Sequence, residues 1–269
     1  MADTSVWPYT KTMQRHACIA LFLLAPLITV SATACQLRIV YSDVAAPPYL
    51  MGDGAAVPQA PGIAVELVAE AASRIGCAVQ WERLPNRRVQ RVMEHGDADA
   101  MLMYSYSPER ATYAVYPMKG GAPDSTYRLA TLSYYIYTKS DSQLMWDTER
   151  FTNLDGALGV NAGYSVGAEL RKQNLPVEEA RSTEQNLTKL QAGRIAAYVM
   201  QDMPADDAIE SGGMQEIKKL PVPFSTKHYF LAFSRQQVQN VPSLSTALWE
   251  QIAKTPKSRL EALQKKYRN

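Results

Sequence analysis

Two stretches in opposite halves of this chain are built alike, and the repetition limits what it can fold into. Met103-Tyr104-Ser105-Tyr106-Ser107-Pro108-Glu109-Arg110 and Leu158-Gly159-Val160-Asn161-Ala162-Gly163-Tyr164-Ser165 each end an apolar strand and open a polar turn. The turns are rich in hydroxyls and backbone N–H groups, and a helical pattern follows. Strands that alternate with helices imply a mostly parallel sheet covered on both faces, with ligands held off the carboxyl ends of the strands.

The rest of the chain follows the same grammar. A strand over 37–41 runs into a Pro-rich loop over 43–61, and Ile63, Leu67, Ala71 and Ile75 then recur at i+4 on one helical stripe. Gly76 stands where a C-cap glycine belongs. A strand over 79–84, a helix over 87–94 stopped by His95-Gly96, and a strand over 100–104 complete the first half. The second half repeats this with a strand over 158–160, a helix over 166–173, a helix over 184–191 ended by Gly193, and a strand over 195–200. The expected fold class is therefore α/β with two similar lobes. The β-rich segments 131–139 and 228–234 are the candidate links, two crossing strands that permit a hinge motion. Helices over 244–253 and 258–267 would return to the first lobe.

Residues 17–30 form an apolar run preceded by Arg15 and His16 and followed by Ala32-Thr33-Ala34, the order of a secretory signal peptide. The run is short for a membrane span, and Pro26 interrupts it. Residues 1–34 are accordingly read as a signal peptide, with Met13 as an alternative start and the periplasm as the destination. Cys18 would leave with it. Cys35 and Cys77 remain, and each opens a strand; if the strands are neighbours, the two thiols form a disulfide in an oxidising compartment. The rival reading makes Cys35 the lipid-bearing first residue of a lipoprotein.

Facing each other across a cleft, the two turns would clamp a small molecule, with Arg110 offering two parallel hydrogen bonds to a carboxylate. The chain resembles the bacterial periplasmic solute-binding proteins of family 3, the amino-acid-binding type. The resemblance runs through Asp43-Val44-Ala45-Ala46-Pro47-Pro48-Tyr49, Pro61-Gly62-Ile63-Ala64-Val65-Glu66-Leu67, Gly96-Asp97-Ala98-Asp99-Ala100, Ser107-Pro108-Glu109-Arg110, the Gly159–Ser165 turn, Gly193-Arg194-Ile195-Ala196-Ala197-Tyr198 and Asp202. It implies a type II periplasmic-binding-protein-like fold with lobe 1 over 35–134 and 231–269 and lobe 2 over 135–230. It implies Arg110 for the ligand carboxylate, with Ser105 and Ser107 on the same turn and Ser165 gripping from the other lobe. It also implies Asp202 for an α-ammonium, Tyr49 for an aromatic wall and Arg88 at a helix start facing the cleft. The partners it implies are a small amino acid or related carboxylate and an ABC importer permease, with the protein a monomer. The chain departs from the family's pattern in Ser107 where threonine is commoner, in Asn86-Arg87 after Pro85, and in the extra tyrosines Tyr104, Tyr106 and Tyr164.

Other chemistries find little support. A net charge of +2 is too small to argue for nucleic acid. The Gly159, Gly163 and Gly167 series lacks the spacing of a nucleotide fingerprint and the Gly-Lys of a P-loop. His95 and His228 have no ligand-spaced partners, so no cofactor and no metal are expected. Two alternatives stay open beside the binding protein: a sensory domain for a separate membrane receptor, and an enzyme of the cyclohexadienyl dehydratase type on the same fold.

Overall fold

The structure, a computed structural model, describes residues 1–6 and 35–268; the signal-peptide reading over 1–34, with Cys18, falls almost wholly outside them. In chain order the elements are β1 (Cys35–Ser42), α1 (Ile63–Arg74), β2 (Cys77–Leu84), α2 (Asn86–Glu94), β3 (Ala100–Ser105), then the two-residue strands β4 (Ala114–Val115), β5 (Met118–Lys119) and β6 (Ala122–Pro123). Next come β7 (Ala130–Lys139), the hairpin β8 (Met145–Trp146) and β9 (Phe151–Thr152), β10 (Leu158–Asn161), α3 (Ser165–Lys172), β11 (Val177–Ala180), α4 (Thr183–Gln191), β12 (Ala197–Gln201) and α5 (Asp202–Ser211). The chain closes with β13 (Ile217–Lys219), β14 (Ser225–Ser234), α6 (Arg235–Asn240), α7 (Pro242–Ala253) and α8 (Lys257–Arg268).

The strands join in the order β11-β10-β12-β7-β14-β3-β1-β2. Each flank is parallel: β2, β1 and β3 on one side, β11, β10 and β12 on the other. All six residues of β3 are buried, as expected for a strand covered on both faces. The two flanks are joined by β7 and β14, which are antiparallel to each other and each change partner midway. Residues 130–134 of β7 pair with β14, and residues 134–137 pair with β12. Residues 225–229 of β14 pair with β7, and residues 229–233 pair with β3. These are the two crossing strands expected from the β-rich links, and the fold is the expected α/β, two-lobed type.

The stripe read on α1 is its buried face, with Ile63, Leu67 and Ala71 all in the core. Gly62 lies at φ 111°, and a Cβ there would stand 2.3 Å from the Tyr49 carbonyl oxygen. Only glycine allows the Pro-rich loop to pass this closely under the start of α1. The C-terminal helices do return to α1: Arg259 pairs with Glu66 and Glu70, and Lys266 pairs with Glu66. Strands β1 and β2 run in register with Cys35 opposite Cys77, and the two are disulfide-bonded with a Cα–Cα distance of 4.5 Å. Of the two readings of Cys35, the structure adopts the pairing.

Some elements differ from expectation. The strand placed over 195–200 is Ala197–Gln201, because residues 193–196 form the turn into it. Strand β11 went unread because Val177-Glu178-Glu179-Ala180 sits at the sheet edge, where polar side chains break the apolar signal.

Candidate functional site

The changes of partner in β7 and β14 bring a small set of residues together. Tyr134 faces Ser225 on one side and Gln201, the last residue of β12, on the other. Tyr229 faces Ala130 on one side and Ser105, the last residue of β3, on the other. The carboxyl ends of both parallel flanks therefore converge on two tyrosines. A cavity of about 30 Å³ opens here, lined also by Arg110, Gly163, Tyr164, Ser165, Tyr104, Asn86 and Met103.

Local strain shapes one wall. The β3–β14 register slips between Phe230 and Leu231, leaving Met103 as the unpaired residue, at φ 63°. A buried methionine in the left-handed region marks a bulge that re-aims the strand end. Two residues on, Ser105 is 2% exposed and its Oγ lies 3.1 Å from the Ser165 Oγ. Ser165 opens α3, so its hydroxyl sits at the positive end of a helix.

Arg110 is the charge at the centre. It is 6% exposed. Its guanidinium donates to the Ser105 carbonyl at 2.9 Å, the Ser105 Oγ at 3.1 Å and the Gly163 carbonyl at 3.0 Å. Its carbon lies 5.0 Å from the centre of the Tyr104 ring. All these partners are neutral, and among the described residues no carboxylate pairs with it. Burial works against its charged form, yet a guanidinium stays protonated at every ordinary pH. A second cation stands close by: Lys227 donates to the Ser165 Oγ at 2.7 Å and pairs with Glu169. Burial pulls the Lys227 ammonium down from its ordinary value, with Glu169 opposing.

The tyrosines form the uncharged lining. Tyr229 donates to the Tyr134 Oη at 2.9 Å, and Gln201 Nε2 donates to the Tyr229 Oη at 2.6 Å. Tyr104 donates to Asn86 Oδ1 at 2.8 Å. Burial pushes the phenols of Tyr104, Tyr134, Tyr164 and Tyr229 upward, so they act as neutral hydrogen-bonding groups. Gln201 Oε1 is buried with no hydrogen-bond partner.

An outer recess adjoins the cavity across Arg110 and Gly163, lined by Arg87, Gln90, Ser107, Glu109, Arg171 and Glu179. Here the two halves are tied by contacts far apart in sequence. Arg87 pairs with Glu179 at 2.6 Å, Gln90 donates to the Gly163 carbonyl at 2.8 Å, and Arg181 pairs with the buried Asp43 at 2.7 Å. Gly163 lies at φ 76°, and a Cβ there would stand 3.0 Å from the Asn86 Cβ, so glycine permits the turn to press on α2. Burial alone would raise the Glu179 carboxyl, but hydrogen bonds from Arg87 and Arg171 hold it below the usual range.

The residues singled out in the sequence separate into two groups. Ser105, Arg110 and Ser165 meet in the cavity, and Ser107 lies in the outer recess, its Oγ accepting from the Arg110 backbone N–H at 3.2 Å. Tyr49 is half-buried against the core, and Ala46 and Leu50 of its loop line the cavity instead. Arg88 is exposed; α2 presents Asn86 to the cavity and Arg87 and Gln90 to the recess. Asp202 begins α5, its Oδ1 accepting from the Met203 N–H at 3.0 Å, and it is Gln201 before it that lines the cavity. Lys227, Tyr134, Tyr229 and Gln201 were not singled out. Only the crossing of β7 and β14 brings them in, and no local motif carries that information.

No family model matches the chain, and no curated protein matches it. Solved structures do. A histidine kinase sensor domain with similarity to periplasmic binding proteins aligns with a TM-score of 0.69 and 16% identity, over 86% of this chain and 95% of that one. A mutant of ArgBP from T. maritima aligns with a TM-score of 0.66 and 16% identity, over 86% and 94%. AbpA from Streptococcus pneumoniae, an amino acid ABC transporter substrate-binding protein bound to L-arginine, aligns with a TM-score of 0.64 and 16% identity, over 86% and 92%. The chain therefore has the two-lobed, type II periplasmic-binding-protein fold.

Proposed function

We propose that this protein is an extracytoplasmic solute-binding protein that captures a small carboxylate between lobe 1 (35–134 and 231–269) and lobe 2 (135–230). The observation that carries the reading is Arg110, a buried guanidinium at the meeting point of both strand flanks with neutral partners only. A buried charge left without a counter-ion costs several kcal/mol, and an anionic ligand supplies that counter-ion. Ser105 and Ser165, one from each lobe, complete the grip. Closure follows because only the closed form offers both hydroxyls and the cross-lobe pairs at once. No covalent step is required. Delivery to an ABC importer is supported by similarity to AbpA, and a sensory role by similarity to the histidine kinase sensor domain.

The test is a thermal-shift screen of ligand-stripped protein against amino acids, hydroxy acids, oxo acids and dicarboxylates. A true ligand at a hundred times its dissociation constant stabilises by about 2.7 kcal/mol, roughly 5–11 °C for a domain of this size. A carboxylate hit supports the reading. Hits confined to cations or neutral solutes overturn it.

A further inference from the structure

Asp43 is the one buried acid among the described residues, 5% exposed. It follows the cavity-lining Ser42 but does not line the cavity itself. Its carboxylate is only half satisfied. Oδ2 accepts from the Arg181 guanidinium at 2.7 Å, and Oδ1 is buried with no hydrogen-bond partner. Among the described residues Arg181 is its one ion-pair partner. The backbone around Asp43 is firmly seated on lobe 1. Its N–H donates to the Leu84 carbonyl at 3.0 Å, and its carbonyl accepts from the Gly54 N–H at 2.7 Å. The buried Arg83 donates to the carbonyls of Ser42, Gly52 and Ala56, which ties the start of this loop to its middle. Arg181 belongs to lobe 2, between β11 and α4, where its N–H donates to Gln185 Oε1 at 3.0 Å. Lobe 1 therefore fixes the carboxylate in place, and lobe 2 supplies its cation.

The other cross-lobe ion pair behaves differently. Glu179 is held by Arg87 of lobe 1 at 2.6 Å, but also by Arg171 of its own lobe at 2.7 Å. When the lobes part, Glu179 keeps a cation and Asp43 does not. Closure thus takes one carboxylate out of water, and that step is tolerable because Arg181 arrives with it. A buried charge whose partner is removed loses far more than an exposed pair gains.

Resting on the two-lobed capture reading above, we propose that Asp43 and Arg181 form a clasp outside the cavity that sets how tightly and how long a ligand is held, but not which ligand is chosen. Both are positioning residues. They act on the ligand through the closed form, which both lobes must adopt to surround it. The clasp carries its charge asymmetrically, with the acid buried and the arginine 65% exposed, so the two partners are not equivalent. Losing the arginine leaves a carboxylate to be buried alone. Losing the acid leaves a guanidinium that water can still reach.

The experiment is a charge-rescue series: wild type, Arg181→Gln, Asp43→Asn and the double variant, each checked for folding by melting without ligand. The probe is whichever of alanine, glutamate, arginine, lactate, pyruvate and succinate most raises the wild-type melting temperature. Calorimetry is expected to show Arg181→Gln weaker by at least about tenfold, with the loss in faster release when followed by stopped flow. The double variant is expected to recover to within about threefold of wild type, because no charge is then buried on closing. The order of affinities across the six compounds should be the same in Arg181→Gln as in wild type. Rescue by removing a second polar partner is a result that a merely structural role for Arg181 would not give. Wild-type affinity in Arg181→Gln, a double variant no tighter than Arg181→Gln, or a changed order of preference overturns the clasp. If Arg110→Gln still abolishes binding in that case, the capture reading stands. No melting shift with any of the six compounds overturns both.

Discussion

Removing the Cys35–Cys77 bridge with Cys35→Ala and Cys77→Ala together is expected to weaken the fold without touching the cleft. The bridge closes a loop of sequence separation 42. In the chain-entropy picture a loop of that length restricts the unfolded chain by about 13 cal/mol/K, or about 4 kcal/mol at 25 °C. For a domain of this size that corresponds to roughly 8–16 °C in melting temperature. The cleft is remote because β1 runs seven residues from Cys35 to the cavity-lining Ser42, about 23 Å at a strand rise of about 3.3 Å. The assay is equilibrium urea denaturation of both proteins, with ligand affinity measured in parallel below the transition. A loss near 4 kcal/mol with unchanged affinity is predicted. A loss below about 1 kcal/mol refutes the entropic argument, and a tenfold change in affinity refutes the separation of bridge and site.

Gly163→Ala combines a strained φ of 76° with a Cβ pushed 3.0 Å from Asn86. It should cost about 1–2 kcal/mol and weaken ligand binding about tenfold, read by melting and calorimetry, because the turn can no longer press on α2. Acid should loosen the protein through Glu66 and Glu179. Burial alone would raise both carboxyls, but Lys266 and Tyr267 on Glu66, and Arg87 and Arg171 on Glu179, hold them below the usual value. The unfolded chain then takes up protons first, so their contribution is complete above about pH 4.3 and is lost as the pH falls through the lower folded values. Melting temperatures from pH 7 to pH 3 should fall less steeply in Glu66→Gln/Glu179→Gln than in the wild type.

The parts of this fold written in local pattern were legible from the sequence. The i+4 stripe of α1, the apolar run of β3 and the two strand–turn–helix junctions led directly to parallel flanks and to Ser105, Arg110 and Ser165. What escaped depends on long-range register. Tyr134 and Tyr229 are ordinary strand tyrosines until β7 and β14 change partners beside them. The bulge at Met103 leaves no mark, since a methionine gives no hint of a positive φ. A one-residue matter of where β12 ends and α5 begins decides that Gln201, rather than Asp202, lines the cavity. Sequence periodicity fixes such boundaries only to within a few residues.

The central claim is that Arg110 is held buried for a ligand's carboxylate. It is tested most directly by titrating the carboxylate found in the screen into wild-type protein and into Arg110→Gln at matched folding. The account predicts a loss of roughly 2–5 kcal/mol of binding free energy, thirtyfold or more in affinity. An Arg110→Gln protein that melts as a folded domain and binds with the wild-type affinity would contradict it.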